Sequence, residues 1–160
     1  MLSNDGTHAD LPLARSNALV RATGPAVLAV SGPDAFISPD WYGMTDQVPT
    51  WNYVAVHLRG ELLALPPGAL EPHLNAVSDR FEAGLLPKPI WKTSKMTQGV
   101  MDRMMRMILP FRLVIHSVDG TWKLNQNRPV SARRGAIAAL QAMGGMSADV
   151  ARLMADVPEE

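Results

Sequence analysis

The chain has 160 residues, 47% of them apolar, with 15 basic and 15 acidic side chains. That length supports one hydrophobic core without disulfides or metals, and the lack of cysteine excludes disulfides, thiolate metal sites and cysteine nucleophiles. No apolar run approaches the roughly 20 residues of a membrane-spanning helix, and the first residues, with Asn4, Asp5 and His8, do not read as a signal peptide, so a cytoplasmic protein is expected.

From the N-terminus, the first strand signals are two short apolar runs, Val27–Val30 and Ala35–Ile37. Gly32-Pro33-Asp34 separates them with turn chemistry, which predicts a pair of strands. Ser38-Pro39-Asp40 breaks the second, and Gly43 to Pro49 reads as loop. Trp51 to Ala64 is the clearest strand. Its alternation sends Asn52, Val54, Val56 and Leu58 to one face and Trp51, Tyr53, Ala55, His57 and Arg59 to the other. A barrel strand between a core and a ligand or subunit interface has this pattern, and so does an ordinary sandwich strand.

Pro66-Pro67 opens a helix, and Leu70, Leu74, Val77 and Phe81 recur at helical spacing, so an amphipathic helix packing on the sheet is expected. Gly84 and Pro87 end it. A second helix is predicted from Thr97 to Ile108, with Val100, Met101, Met104, Met105 and Ile108 as its stripe and Pro110 as its stop. Asp119-Gly120 between Phe111–Val118 and Thr121–Leu124 is a two-residue hairpin signal. Asn125 to Pro129 reads as an irregular polar loop. Two short helices close the chain, Ser131–Met143 ended by Gly144-Gly145, and a second capped by Ser147 and running to Met154. No repeat or linker marks a boundary, so residues 1–160 are read as a single domain of α+β class with a mainly antiparallel sheet, flanking helices and a helical C-terminus.

The charge is segregated. Residues 1–87 hold 4 basic and 9 acidic side chains, residues 88–134 hold 10 and 2, and the tail holds 1 and 4. A basic middle section points to an anionic partner or to an interface with the acidic half; a solvated surface with segregated signs is the plainer alternative.

Chemistry-bearing motifs are largely missing. There is no glycine-rich phosphate loop and no nucleophile elbow. His8, His57, His73 and His116 lack metal-ligand spacing, so no metal site is assigned. Glu71, Asp79 and Glu82 read as a solvated helix surface. A hydrolase is unsupported. Three polar–aromatic clusters stand out instead: Phe36–Tyr42 (FISPDWY), Val48–Gly60 (VPTWNYVAVHLRG) and Gly120–Pro129 (GTWKLNQNRP). They hold three of the four Trp and both Tyr in a chain only 6% aromatic. Aromatics beside Asn, Gln, Thr and Lys can stack a planar ring, bond its edge and neutralise a phosphate. They can equally pin loops by packing.

These three segments, with Leu11–Asn17 (LPLARSN), resemble the signature segments of the PaiB-type family of FMN-binding negative transcriptional regulators, in order and at plausible spacing. Ala18 stands where that family usually has proline, Asn125 stands where serine is more common, and the chain starts within the family's first strands. The resemblance implies a flavin split barrel, N-terminally short, with two protomers packed sheet to sheet around FMN. It places Arg15, Ser16 and Asn17 on the phosphate side, Trp51, Asn52 and Tyr53 along the ring or ribityl chain, and Lys123, Gln126 and Asn127 closing the pocket. It also implies a homodimer and a negative transcriptional regulator. Direct DNA contact has little support in the residues, because the second helix of the last pair is poor in basic and base-reading side chains. A flavin oxidoreductase of the pyridoxamine-phosphate-oxidase-like kind and a cofactor-free dimeric interaction module are the alternatives.

Overall fold

The computed structural model describes residues 1–158. Four strands, β1 (His8–Ala14), β2 (Gly24–Ile37), β3 (Thr50–Ala64) and β4 (Ile108–Lys123), form one sheet in the order β1-β4-β3-β2. Four helices accompany them: α1 (Leu70–Ala83), α2 (Val100–Met105), α3 (Val130–Met143) and α4 (Gly145–Ala155). β1 pairs antiparallel with β4, from His8 opposite Val114 to Ala14 opposite Ile108. Strands in sequence before and after helices give the expected α+β class.

The residues group into two compact units, each drawn from two stretches of chain. Unit 1 is Met1–Leu28 with Leu58–Ser117, and unit 2 is Ala29–His57 with the chain from Val118 on. β2, β3 and β4 each run through both.

In unit 1, Ala9, Leu58, Leu62, Leu70, Phe111 and Leu113 are buried. Asp10 and Arg112, opposite each other in the β1–β4 pair, form a two-pronged ion pair at 2.6 and 2.8 Å. The Arg112 hydrogen bonds hold the Asp10 carboxyl below its usual range. Gly60 allows β3 to close on β4, because a side chain there would meet the Val114 carbonyl oxygen at 1.7 Å. α1 is less amphipathic in fact than in pattern: Leu70 is buried, Leu74 and Val77 half-buried, and Phe81 72% exposed. His73 on the same helix is half-buried, and that burial pushes its pKa down.

Unit 2 has the denser interior. Ile37, Tyr42, Leu124, Ala132, Ala136, Leu140, Val150 and Met154 are buried together. α3 lies against α4 and against the 3-10 turn Pro39–Tyr42. Gly135 makes the second contact possible, since a side chain there would come within 2.1 Å of the Trp41 carbonyl oxygen.

Several expected element boundaries move. Gly32-Pro33-Asp34 does not turn; β2 continues through it. β2 is an edge strand, where a proline is tolerated, and Gly32 lets Val54 of β3 approach to 3.1 Å of its would-be Cβ. Asp119-Gly120 is not a hairpin either, because β4 is one strand of 16 residues. Gly120 is a seat for the Trp122 ring, whose atoms would lie 2.1 Å from a Cβ there. Pro110 does not end a helix but sits in β4 opposite Pro12. Its carbonyl accepts from the Leu65 amide at 3.0 Å, so its missing N–H falls at the end of that ladder. α2 is far shorter than Thr97–Ile108: Gly99, with φ 76°, precedes it and Ile108 already belongs to β4. Ser147 lies inside α4, which starts directly after Gly144.

Candidate functional site

The alternation of β3 sets the site in unit 2. Asn52 points inward and Trp51 and Tyr53 outward, 53% and 37% exposed. Large aromatics left this open are surplus to core packing. Trp51 meets Phe36 of β2 edge to face, with centroids 6.1 Å apart. Together with Ser31, Gly32, Asp34 and Ala55, Trp51 and Tyr53 line a shallow depression of about 350 Å³. At the strand's start, Lys123 Nζ donates to Thr50 Oγ1 at 2.7 Å, which ties the end of β4 to the residue before Trp51.

Not every predicted residue joins this surface. Asn52 is fully buried; its Nδ2 donates to Met154 Sδ at 3.3 Å, and its Oδ1 has no partner. It belongs to the interior of unit 2. Gln126 is consumed by its own loop, accepting from the Leu124 amide at 2.8 Å and donating to the Trp122 carbonyl. Gln126 and Asn127 line a different pocket, with Arg128, Pro129, Val130, Arg133, Val157 and Pro158, and share no lining residue with the Trp51–Tyr53 surface.

Arg15, Ser16 and Asn17 belong to unit 1. Arg15 Nε donates to the Arg106 carbonyl, and both arginines edge an apolar cavity of about 300 Å³ floored by Leu70, Met105 and Ile108, with Asp102 at its rim. Asn17 accepts from the Leu19 amide at 3.0 Å and so caps the 3-10 turn Ala18–Arg21. Ser16 is exposed beside it.

Residues beyond the predicted set also take part. Asn125, the departure from the usual serine, sits at φ 61°, a conformation asparagine tolerates. Its Nδ2 donates to the Tyr42 hydroxyl at 3.1 Å. Arg128 lies 5.2 Å from the centre of the Tyr42 ring. Both residues lie inside the third motif, Gly120–Pro129, which was their signal in the sequence.

A family model described as "Putative FMN-binding domain" matches residues 3–117. The chain belongs to that family. "Protease synthase and sporulation protein PAI 2" of Bacillus subtilis (strain 168) is 31% identical over 97 residues, which are 61% of this chain and 45% of that protein. The chain therefore spans less than half the length of that curated relative. The FAD and heme binding protein from Mycobacterium smegmatis has a solved structure similar at a TM-score of 0.51 and 17% identity, covering 74% of this chain and 54% of that one. At that identity the likeness speaks for the fold, an α+β arrangement of the split-barrel type. The family match and the 31% identical relative together place the chain among PaiB-type domains of the FMN-binding family.

FMN asks for flat apolar area to lie on its ring, and for cations or N–H groups to meet its phosphate. Trp51 and Tyr53 offer exposed ring area, and Lys123 of the same unit offers a cation. The donor chemistry of these residues fits the group. FMN, when bound, would supply a redox-active ring, and Trp51, Tyr53 and Lys123 are the residues that would give it a stacking face and a counter-charge. No helix among the described residues is long and apolar enough to cross a membrane.

Proposed function

We propose that this chain is an FMN-binding domain that acts as a homodimer in negative regulation of transcription in the cytoplasm, in the manner of PaiB-type proteins. The observation that carries the reading is the open Trp51–Tyr53 pair on β3 of a chain matched to the family over residues 3–117. Half-exposed aromatic rings in a row are expensive to leave in water and valuable under a planar ligand or a second protomer. Val118 and Trp122 of β4 are also more than half or half exposed in the same unit, which supports an interface between copies.

Regulation by a reading helix has weak support. α4 carries one basic residue, Arg152, and it pairs with Asp149. Three of the ten cations of the basic middle section are also paired: Lys88 with Glu82, Lys92 with Asp79 and Arg112 with Asp10. Contact with DNA would then be weak and strongly salt-dependent, and a partner-mediated or flavin-dependent route is favoured.

A titration of the purified chain with FMN and with riboflavin, followed by flavin fluorescence, tests the cofactor. Saturable binding is expected. Trp51→Ala weakens both ligands alike, and because Trp51 is half-exposed its melting temperature changes little. Lys123→Ala weakens FMN by roughly tenfold to hundredfold, the worth of one charged hydrogen bond, and leaves riboflavin unchanged. Absence of flavin binding by the folded chain would remove the reading; equal loss of FMN and riboflavin in Lys123→Ala would remove Lys123 from the phosphate.

A further inference from the structure

The pocket at the start of α3 lies outside the residues matched to the family. It is a cavity of about 390 Å³ in which Arg128 and Arg133 both take part and which no acidic residue lines among the described residues. We infer that it is a binding site for a phosphate group borne by a small metabolite, separate from the flavin surface.

The cations are held in place before any ligand arrives. Arg133 is only 5% exposed, and its Nη2 donates to the Val157 and Pro158 carbonyls at 3.1 Å each. Those carbonyls orient the guanidinium but do not cancel its charge, and a buried charge seeks a counter-charge. Arg128 is fixed between the Tyr42 ring and Gln47 Oε1. Two guanidiniums on one cavity match a dianion better than a carboxylate, whose single charge leaves one cation uncompensated.

The start of α3 adds to this field. Pro129 is its N-cap, no side chain caps it, and no acid lies in its first turn. The open amides of this 14-residue helix therefore favour the same charge. Asn127 offers a further amide at the rim. The other walls are Gln126 and the apolar Val130, Pro129, Val157 and Pro158, with no aromatic ring. That lining suits a compact metabolite rather than a flavin ring, and a cavity of this size has room for a phosphate and a small attached group.

The test is calorimetric titration of the full chain with inorganic phosphate, in chloride of matched ionic strength, alongside melting curves. Saturable binding and a rise in melting temperature beyond the chloride control are expected. Arg128→Gln should weaken phosphate on the order of tenfold or more. Arg133→Gln disturbs a buried group and is at risk of misfolding, so Asn127→Asp, which adds a negative charge at an exposed position, serves as the second variant and should also weaken phosphate. Binding no better than the chloride control would overturn the inference, and so would phosphate affinity unchanged in both variants. A third arm adds phosphate to chain loaded with FMN or with riboflavin. Displacement of neither is expected, whereas displacement of FMN alone would assign the pocket to the flavin's own phosphate and overturn its separateness.

Discussion

The two compact units are built by different means. Unit 2 closes on side chains from four separate segments, and most of its central residues are wholly removed from solvent. Unit 1 buries fewer large side chains and relies also on a polar clasp, Asp10 with Arg112, across its β1–β4 pair. Apolar burial is non-directional and grows with area, so the unit with the fuller core should tolerate substitution least. The unit with the clasp should be the one that responds to pH.

The largest expected effect compares two leucines. Leu140→Ala, at the centre of unit 2, should destabilise by about 2–5 kcal/mol, the usual cost of a cavity that its surroundings cannot fill. Leu70→Ala in unit 1 should cost less, since Leu70 already borders an open cavity and its neighbours there are partly hydrated. Urea unfolding of both variants checks the order. Equal losses would mean that unit 1 is as tightly filled as unit 2.

Backbone closeness gives the next effect, and here the units should behave alike. Gly60→Ala and Gly135→Ala each drive a methyl group against a carbonyl oxygen, at Val114 and Trp41 respectively. Each should destabilise by roughly 1–3 kcal/mol. For Gly135, inside α3, helix propensity alone favours alanine by about 1 kcal/mol, so a stabilised Gly135→Ala would show that the Trp41 carbonyl can move aside at little cost.

The smallest effect sharpens the contrast most. Asp10→Asn removes one charge of a partly exposed pair, with side chains 24% and 35% exposed, and should cost about 1 kcal/mol or less at neutral pH. The folded Asp10 carboxyl titrates below its unfolded value. Its contribution is therefore present above the ordinary carboxylate value near about 4 and is lost as the pH falls through the folded value. Melting curves of the native chain and Asp10→Asn should converge in acid. A gap that persists there would assign the clasp to shape rather than charge.

Particular residues show how far the sequence could be read. The two-residue alternation of β3 put Asn52 and Leu58 on one face and Trp51, Tyr53 and Arg59 on the other without saying which is buried; the structure buries the first two, exposes the other three and leaves Val54 to His57 intermediate. The same alternation argued against placing Asn52 with Trp51 and Tyr53 in one ligand surface, a conflict that only the burial of Asn52 made visible. The ends of α3 were legible within a residue, because proline before it and paired glycines after it act through the local backbone. β1 carried no strong strand signal of its own, and its position depends on a partner about a hundred residues away.

What the sequence determined by itself was the class of elements, the two-face division of β3 and the family motifs, all of which rest on neighbours within a turn or a strand. Only the tertiary structure decided whether Gly32 and Gly120 are turns or strand positions. Turn chemistry says what the backbone can do, but the approach of Val54 and the seat needed by Trp122 say what it must do. It was likewise the tertiary structure that gathered Arg128, Arg133 and the carbonyls of Val157 and Pro158 around one cavity. Cations read along the chain are only a count, and a binding field arises when folding fixes their separation and removes the water between them.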